Sequence, residues 1–135
     1  MAKDFYLTRL RLEDVIFLIQ YLGLGEHYSI EEGGKPDGVG PRSAGSWSAL
    51  AKEHPEFFRL TPCNSVTLSL RYYRRQPGAN PAPLGEDQVQ QLIQNAIALQ
   101  ERQAKRSEVW KVWGTFIAAM VAALAGIAQL LLGRR

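Results

Sequence analysis

The residues able to carry chemistry are few. The chain of 135 residues has two histidines, His27 and His54, and one cysteine, Cys63. A thiolate beside a histidine base can act as a nucleophile, and Cys63 with His54 is the pair on offer, but no third group is spaced to orient them. Neither histidine stands at zinc-ligand spacing from Cys63 or from the other, so no metal and no other cofactor is expected. Glu53 and Glu56 flank His54 and read as helix-surface charges. The segment "GGKPDGVG" (33–40) holds glycines and a lysine without the G-x-x-x-x-G-K-[ST] spacing of a phosphate cradle. It reads as a flexible loop suited to a partner. The chain is therefore expected not to be an enzyme.

Two other groups of residues remain. Arg59, Arg71, Arg74 and Arg75 gather around Tyr72 and Tyr73. Such a cluster could contact the phosphates of a nucleic acid, anionic lipid headgroups or a protein partner; otherwise it is a solvated strand end. Net charge is +3 with a pI near 9.2, a milder excess than dedicated nucleic-acid binders carry. One cysteine allows no intrachain disulfide, which fits a reducing compartment.

The second group is "VWGTFIAAMVAALAGIAQLLLG" (112–133), which contains no charged residue. Its 22 residues span about 33 Å as an α-helix, close to the roughly 30 Å of a bilayer's hydrocarbon core. Trp110 and Trp113 suit the headgroup zone at one end. Arg102, Lys105, Arg106 and Lys111 precede the run, and Arg134 and Arg135 follow it. The excess on the N-terminal side places that side in the cytoplasm. The absence of an apolar leader in "MAKDFYLTRLRLEDV" agrees. The expected product is a tail-anchored, single-pass protein with a cytoplasmic head. Thr115, Ala118, Ala122, Ala125 and Gln129 share one helical face, and Gly114, Ala118, Ala122 and Gly126 form a row of small residues. Small residues let helices approach closely in lipid, and a glutamine there seeks a partner. Self-association of the span into a homo-oligomer is the expectation; a plain alanine-rich anchor is the alternative.

The elements that must position these groups follow from periodicity. "DFYLTRLR" (4–11) alternates as a short strand. Val15, Ile16, Leu18, Ile19 and Leu22 recur at helical spacing, with Glu13 and Asp14 near the positive end of the dipole and Gly23 or Gly25 ending the helix. Residues 26–45 form a glycine-rich loop. Ser46 caps a second helix that Pro55 ends. A hairpin follows, with Val66, Leu68, Leu70 and Tyr72 facing the core and Thr67, Ser69, Arg71 and Tyr73 facing water. Residues 76–86 make a Pro/Gly linker. Residues 87–111 make a polar juxtamembrane helix, in which Val89, Leu92, Ala96 and Leu99 form a weak coiled-coil seam.

The stretch "SWSALAKEHPEFFRL" followed by "SVTLSLRYY" resembles the end of a winged-helix domain, in particular the LOTUS or OST-HTH variety. There, a helix leads through a P-x-F-F/V element into the wing hairpin. The resemblance covers about 30 residues and implies a winged-helix head over 1–75 that binds DNA, RNA or protein. The fold class expected is α+β, a small winged-helix-like domain followed by a long helix ending in a transmembrane span over 112–133. The expected role is a membrane protein whose head binds a partner or signal, such as a membrane-perturbing toxin- or defence-type effector. The rival roles are a membrane-tethered nucleic-acid regulator and an accessory anchor subunit of a larger membrane complex.

Overall fold

A computed structural model describes residues 5–133. The elements in chain order are a 3-10 turn Phe5–Leu7, α1 Arg11–Leu24, β1 Ser29–Ile30, a 3-10 turn Pro36–Gly38, α2 Trp47–Glu53, β2 Phe58–Leu60, β3 Val66–Leu68, α3 Ser69–Tyr73 and α4 Glu86–Leu132. The architecture is mixed: helices with a small antiparallel sheet, and a long C-terminal helix. The chain divides into two compact units, Met1–Gln100 and Glu101–Arg135.

In the first unit, α1 turns its apolar stripe inward, burying Val15, Leu18, Ile19 and Leu22. The 3–4 spacing of those residues is what puts them on one face. Gly25 caps the helix, donating its N–H to the Tyr21 carbonyl. Ser46 caps α2 as expected: its hydroxyl accepts from the Ala49 N–H at 3.1 Å. The helix stops at Glu53, two residues before Pro55, because the residue preceding a proline is pushed out of helical geometry. Trp47, Leu50 and Ala51 of α2 complete one core with Phe57, Phe58, Val66 and Leu68.

The structure departs from the sequence reading at four places. Residues 5–7 form a 3-10 turn rather than a strand, which drives the Tyr6 side chain into the core. The glycine-rich loop contributes a strand. β1 pairs antiparallel with β3 through Ser29–Thr67 and Ile30–Val66, while β2 pairs with β3 on its other side. The sheet order β1-β3-β2 makes β3 central, so all three of its residues are buried and Thr67 does not face water. The Thr67 hydroxyl is satisfied by donating to the Arg59 carbonyl at 3.1 Å. Beyond Leu68 the strand does not continue; the chain turns into α3.

The Pro/Gly stretch is the third departure. Pro81 and Leu84 are buried, and the Leu84 N–H donates to the Gly23 carbonyl at 2.8 Å. The linker is docked along the end of α1 instead of spanning free space. The fourth is α4. Its early turns bury Val89, Ile93 and Ala96 against the head core, so the 3–4 repeat read as a coiled-coil seam is used within the chain. Gly23 lets this happen: a Cβ there would lie 2.8 Å from Val89 Cγ2. The compact head accordingly runs to Gln100, beyond the expected boundary at residue 75.

Candidate functional site

Two surfaces stand out. The first lies on α4. Its most apolar stretch has a mean hydropathy of 2.2, none of it is buried, and α4 is the one described helix long and apolar enough to cross a membrane. Large apolar side chains crowd the half of the helix opposite the small-residue row: Trp113, Phe116, Ile117, Met120, Val121, Leu124, Ile127 and Leu131 are all more than half exposed. Water does not tolerate a patch of that extent on an isolated helix.

Within this segment Thr115, Ala118, Ala122, Ala125, Gly126 and Gln129 are helical and exposed. The Thr115 hydroxyl donates to the Lys111 carbonyl at 3.0 Å, one turn back, so it is satisfied inside the helix. The Gln129 side-chain amide makes no hydrogen bond among the described residues. A Cβ on Gly114 or Gly126 would meet nothing within 4 Å, so the small-residue row is open. Trp110 and Trp113 are exposed, and the Trp113 ring meets Phe116 edge-on at 6.2 Å. Arg134 and Arg135 lie outside the described residues.

The second surface is on the head, where α3 packs beside the sheet. The four arginines read as one basic cluster do not share an environment. Arg71 is only 2 % exposed. Its Nη1 donates to the carbonyls of Leu22 and Gly25, each at 2.7 Å, and to that of His27 at 3.3 Å. Its Nε and Nη2 donate to the Pro81 carbonyl at 3.3 and 3.1 Å. Arg71 is therefore no surface contact for an anion or partner. It is a buried tie between α3, the end of α1 and the linker, and burial lowers its pKa.

Arg59, Arg74 and Arg75 remain outside. The Arg59 guanidinium lies over the Tyr72 ring at 4.7 Å and near the Tyr73 ring at 5.7 Å, and it donates to the Tyr73 hydroxyl at 3.3 Å. The Arg75 guanidinium lies 5.7 Å from the Tyr72 ring. The two tyrosines meet edge-on at 5.9 Å, and Tyr73 is 72 % exposed. The result is a basic, aromatic patch that Arg71 holds in place from beneath.

The residues weighed for catalysis lie in different environments. Cys63 is exposed in the β2–β3 turn, whereas His54 is buried. With its proton on Nδ1, His54 donates to Glu56 Oε1 at 3.0 Å. The same oxygen accepts from the Tyr6 hydroxyl at 2.7 Å, and the Tyr6 ring lies 4.5 Å from that of His54. Burial raises the Glu56 carboxyl, but the bonds from His54, Tyr6 and its own backbone outweigh it and leave the pKa lowered. Burial first, and then the bond to Glu56, push the Tyr6 hydroxyl far above its usual range. Among the described residues, no three metal-ligating side chains come together.

Several roles were not legible in the sequence. Asp14, read as a helix-dipole partner, is buried and ties down the glycine-rich loop. Its Oδ2 accepts from the Arg42 N–H at 2.9 Å, the Ser43 N–H at 2.7 Å and the Ser43 hydroxyl at 2.6 Å. Arg11 bonds Glu53 and the Ser43 carbonyl, and the Trp47 indole donates to the Val39 carbonyl at 3.0 Å. These partners are 8 to 42 residues apart, so no local pattern announces them. No protein-family model, curated protein or solved structure matches the chain.

Proposed function

We propose that this is a single-pass membrane protein: α4 crosses the bilayer, and the head, on the cytoplasmic side, binds a partner or signal. The observation that carries the reading is the fully exposed, all-round apolar surface of α4 after Lys111. Each large side chain transferred from water to hydrocarbon is worth roughly 1.5–3 kcal/mol, so lipid is the environment that this surface fits. Arg102, Lys105, Arg106 and Lys111 before the apolar run support the sidedness. The course of α2 through Pro55, Phe57 and Phe58 into the β2–β3 hairpin supports the winged-helix resemblance of the head.

Copies of the span associate through Thr115, Ala118, Ala122, Ala125, Gly126 and Gln129. What supports this is the open small-residue row and the unpartnered Gln129 amide, which a second copy could satisfy. The activity we attach to such an assembly is that of a membrane-perturbing effector of toxin or defence type, which release of a vesicle-trapped dye would report.

The test is alkaline extraction of membranes followed by crosslinking. The chain should resist extraction, and Ala118→Leu with Ala122→Leu should remove the crosslinked oligomers. Extraction into the supernatant overturns the anchor; unchanged oligomers overturn the interface. Co-purification of a different chain in mild detergent would instead make this an accessory anchor subunit. The exposed Arg59, Arg74 and Arg75 favour one further reading, a membrane-tethered nucleic-acid regulator, to be tested by a salt-dependent gel shift.

A further inference from the structure

Among the described residues, no carboxylate pairs with the patch of Arg59, Tyr72, Tyr73, Arg74 and Arg75. Among the described residues the ion pairs are Arg11–Glu53 and His54–Glu56, so none of these three arginines is paired. Two of their guanidinium groups share the Tyr72 ring. Like charges gathered on one ring repel, and at an exposed site the ring offsets that only modestly. Arg59 and the two tyrosines are nonetheless held. Arg59 sits on edge strand β2, in register with Thr67 of β3, and Tyr72 and Tyr73 follow the buried Arg71 on α3. An anion from outside would complete the arrangement, and the ordering of the groups that meet it is already in place.

We infer that this patch docks the head onto the phosphate-bearing headgroups of an anionic bilayer, an inference that rests on reading α4 as a span. Three observations favour a bilayer over a nucleic acid. A chain anchored by its own helix holds a bilayer surface at high effective concentration, whereas a nucleic acid must be met from solution. The exposed Tyr73, with an apolar ring and a polar tip, suits the headgroup zone. The charge is a few arginines, enough for an anionic surface potential to act on, where nucleic-acid sites usually gather more.

The experiment uses the full chain with Cys63→Ser and Gln76→Cys, carrying a donor dye at position 76, beside the patch and exposed. It is reconstituted in phosphatidylcholine vesicles with or without phosphatidylserine, with an acceptor dye on the headgroups. Energy transfer should rise with phosphatidylserine and fall in about 1 M salt, where charges are screened beyond roughly 3 Å. Arg59→Gln with Arg75→Gln should lower the docking constant about 30-fold. Both side chains are exposed, so an unchanged circular dichroism spectrum should accompany that loss.

Equal transfer in neutral and anionic vesicles, or indifference to the double substitution, overturns the proposal. So does loss of transfer when a single-stranded oligonucleotide is added, which would reassign the patch to nucleic acid. Alkaline extraction of the same vesicles scores the anchor separately. A chain that resists extraction but ignores lipid charge refutes docking and leaves the span standing. A chain that is extracted, yet floats with anionic vesicles alone at neutral pH, supports docking and refutes the span.

Discussion

Arg71 Nη1 donates to the carbonyl of Leu22 at 2.7 Å across 49 residues of chain. Leu22 lies in the last turn of α1, where carbonyls lack helical partners and the dipole is negative. A guanidinium, with five donors in a fixed fork, can serve several carbonyls at once. Here it serves Leu22, Gly25, His27 and Pro81, and so joins α1, its exit loop, α3 and the linker.

Arg71→Met should therefore be severe, because it strands those carbonyls beneath the surface. A loss of about 3 kcal/mol or more is expected, since each stranded carbonyl costs roughly 1–3 kcal/mol, read as the shift in urea midpoint of the full chain in detergent. Arg71→Lys keeps the charge but not the fork, and should recover only part of the loss. Full stability in Arg71→Met would remove Arg71 from its place as the tie.

Gly23→Ala tests how α4 enters the head. The new methyl would meet Val89 Cγ2 at 2.8 Å, and overpacking of this kind costs roughly 1–3 kcal/mol. The gain in helix propensity offsets up to about 1 kcal/mol of that. A net loss is expected, and Val89→Ala in the same chain should return part of it. A double-mutant cycle with no coupling between the two positions would show that the contact is absent.

The pair of bonds on Glu56 gives the head an acid limb. Its carboxyl pKa lies below the ordinary 4.5 because His54 and Tyr6 favour the charged form more than burial opposes it. A lowered folded pKa contributes stability that is whole above 4.5 and is lost as pH falls toward the folded value. Thermal melts should show this decline, and Glu56→Gln should flatten it. Tyr6 acts in the opposite sense. Its raised pKa contributes stability that is whole below 10 and declines as alkali rises above that. Tyr6→Phe should remove this alkaline limb and leave Glu56 with one bond fewer.

Leu124→Arg tests the span by energy alone. A charge near the centre of a transmembrane helix costs about 2.5–3.5 kcal/mol on insertion scales, and Leu124 lies near the middle of 112–133. The variant should pass to the supernatant on alkaline extraction while Leu124→Ile does not. Equal retention of both would argue that α4 meets a protein groove or a water-filled channel instead of lipid.

Local pattern was enough for much of the fold. The stripe from Val15 to Leu22, the Ser46 cap, the stop before Pro55 and the turn between β2 and β3 each depend on residues within a few positions. The turn shows why. Asn64 takes the left-handed conformation that asparagine tolerates, and Ser65 donates its N–H to the Thr61 hydroxyl. Where a residue's role depends on a distant partner, the pattern misled. Arg71 and Tyr73 sit on the same expected wet face, yet one is buried and the other largely exposed. The strand on which that expectation rested ends at Leu68. Asp14 had an adequate local explanation in the helix dipole, and its loop partners lie 28 and 29 residues away.

The candidate surfaces divide in the same way. Length, charge and periodicity by themselves determined the apolar segment of α4, because lipid compatibility is a property of a single helix and needs no partner element. They also placed arginines and tyrosines together at 71–75. Tertiary structure alone decided which of those arginines is a surface group. A guanidinium near the Arg71 backbone finds four stranded carbonyls beneath it, whereas Arg59 and Arg75 meet tyrosine side chains at the surface. It also decided that the linker and the first turns of α4 belong to the head, since Leu84 and Val89 fit against Gly23 only once α1 is in place.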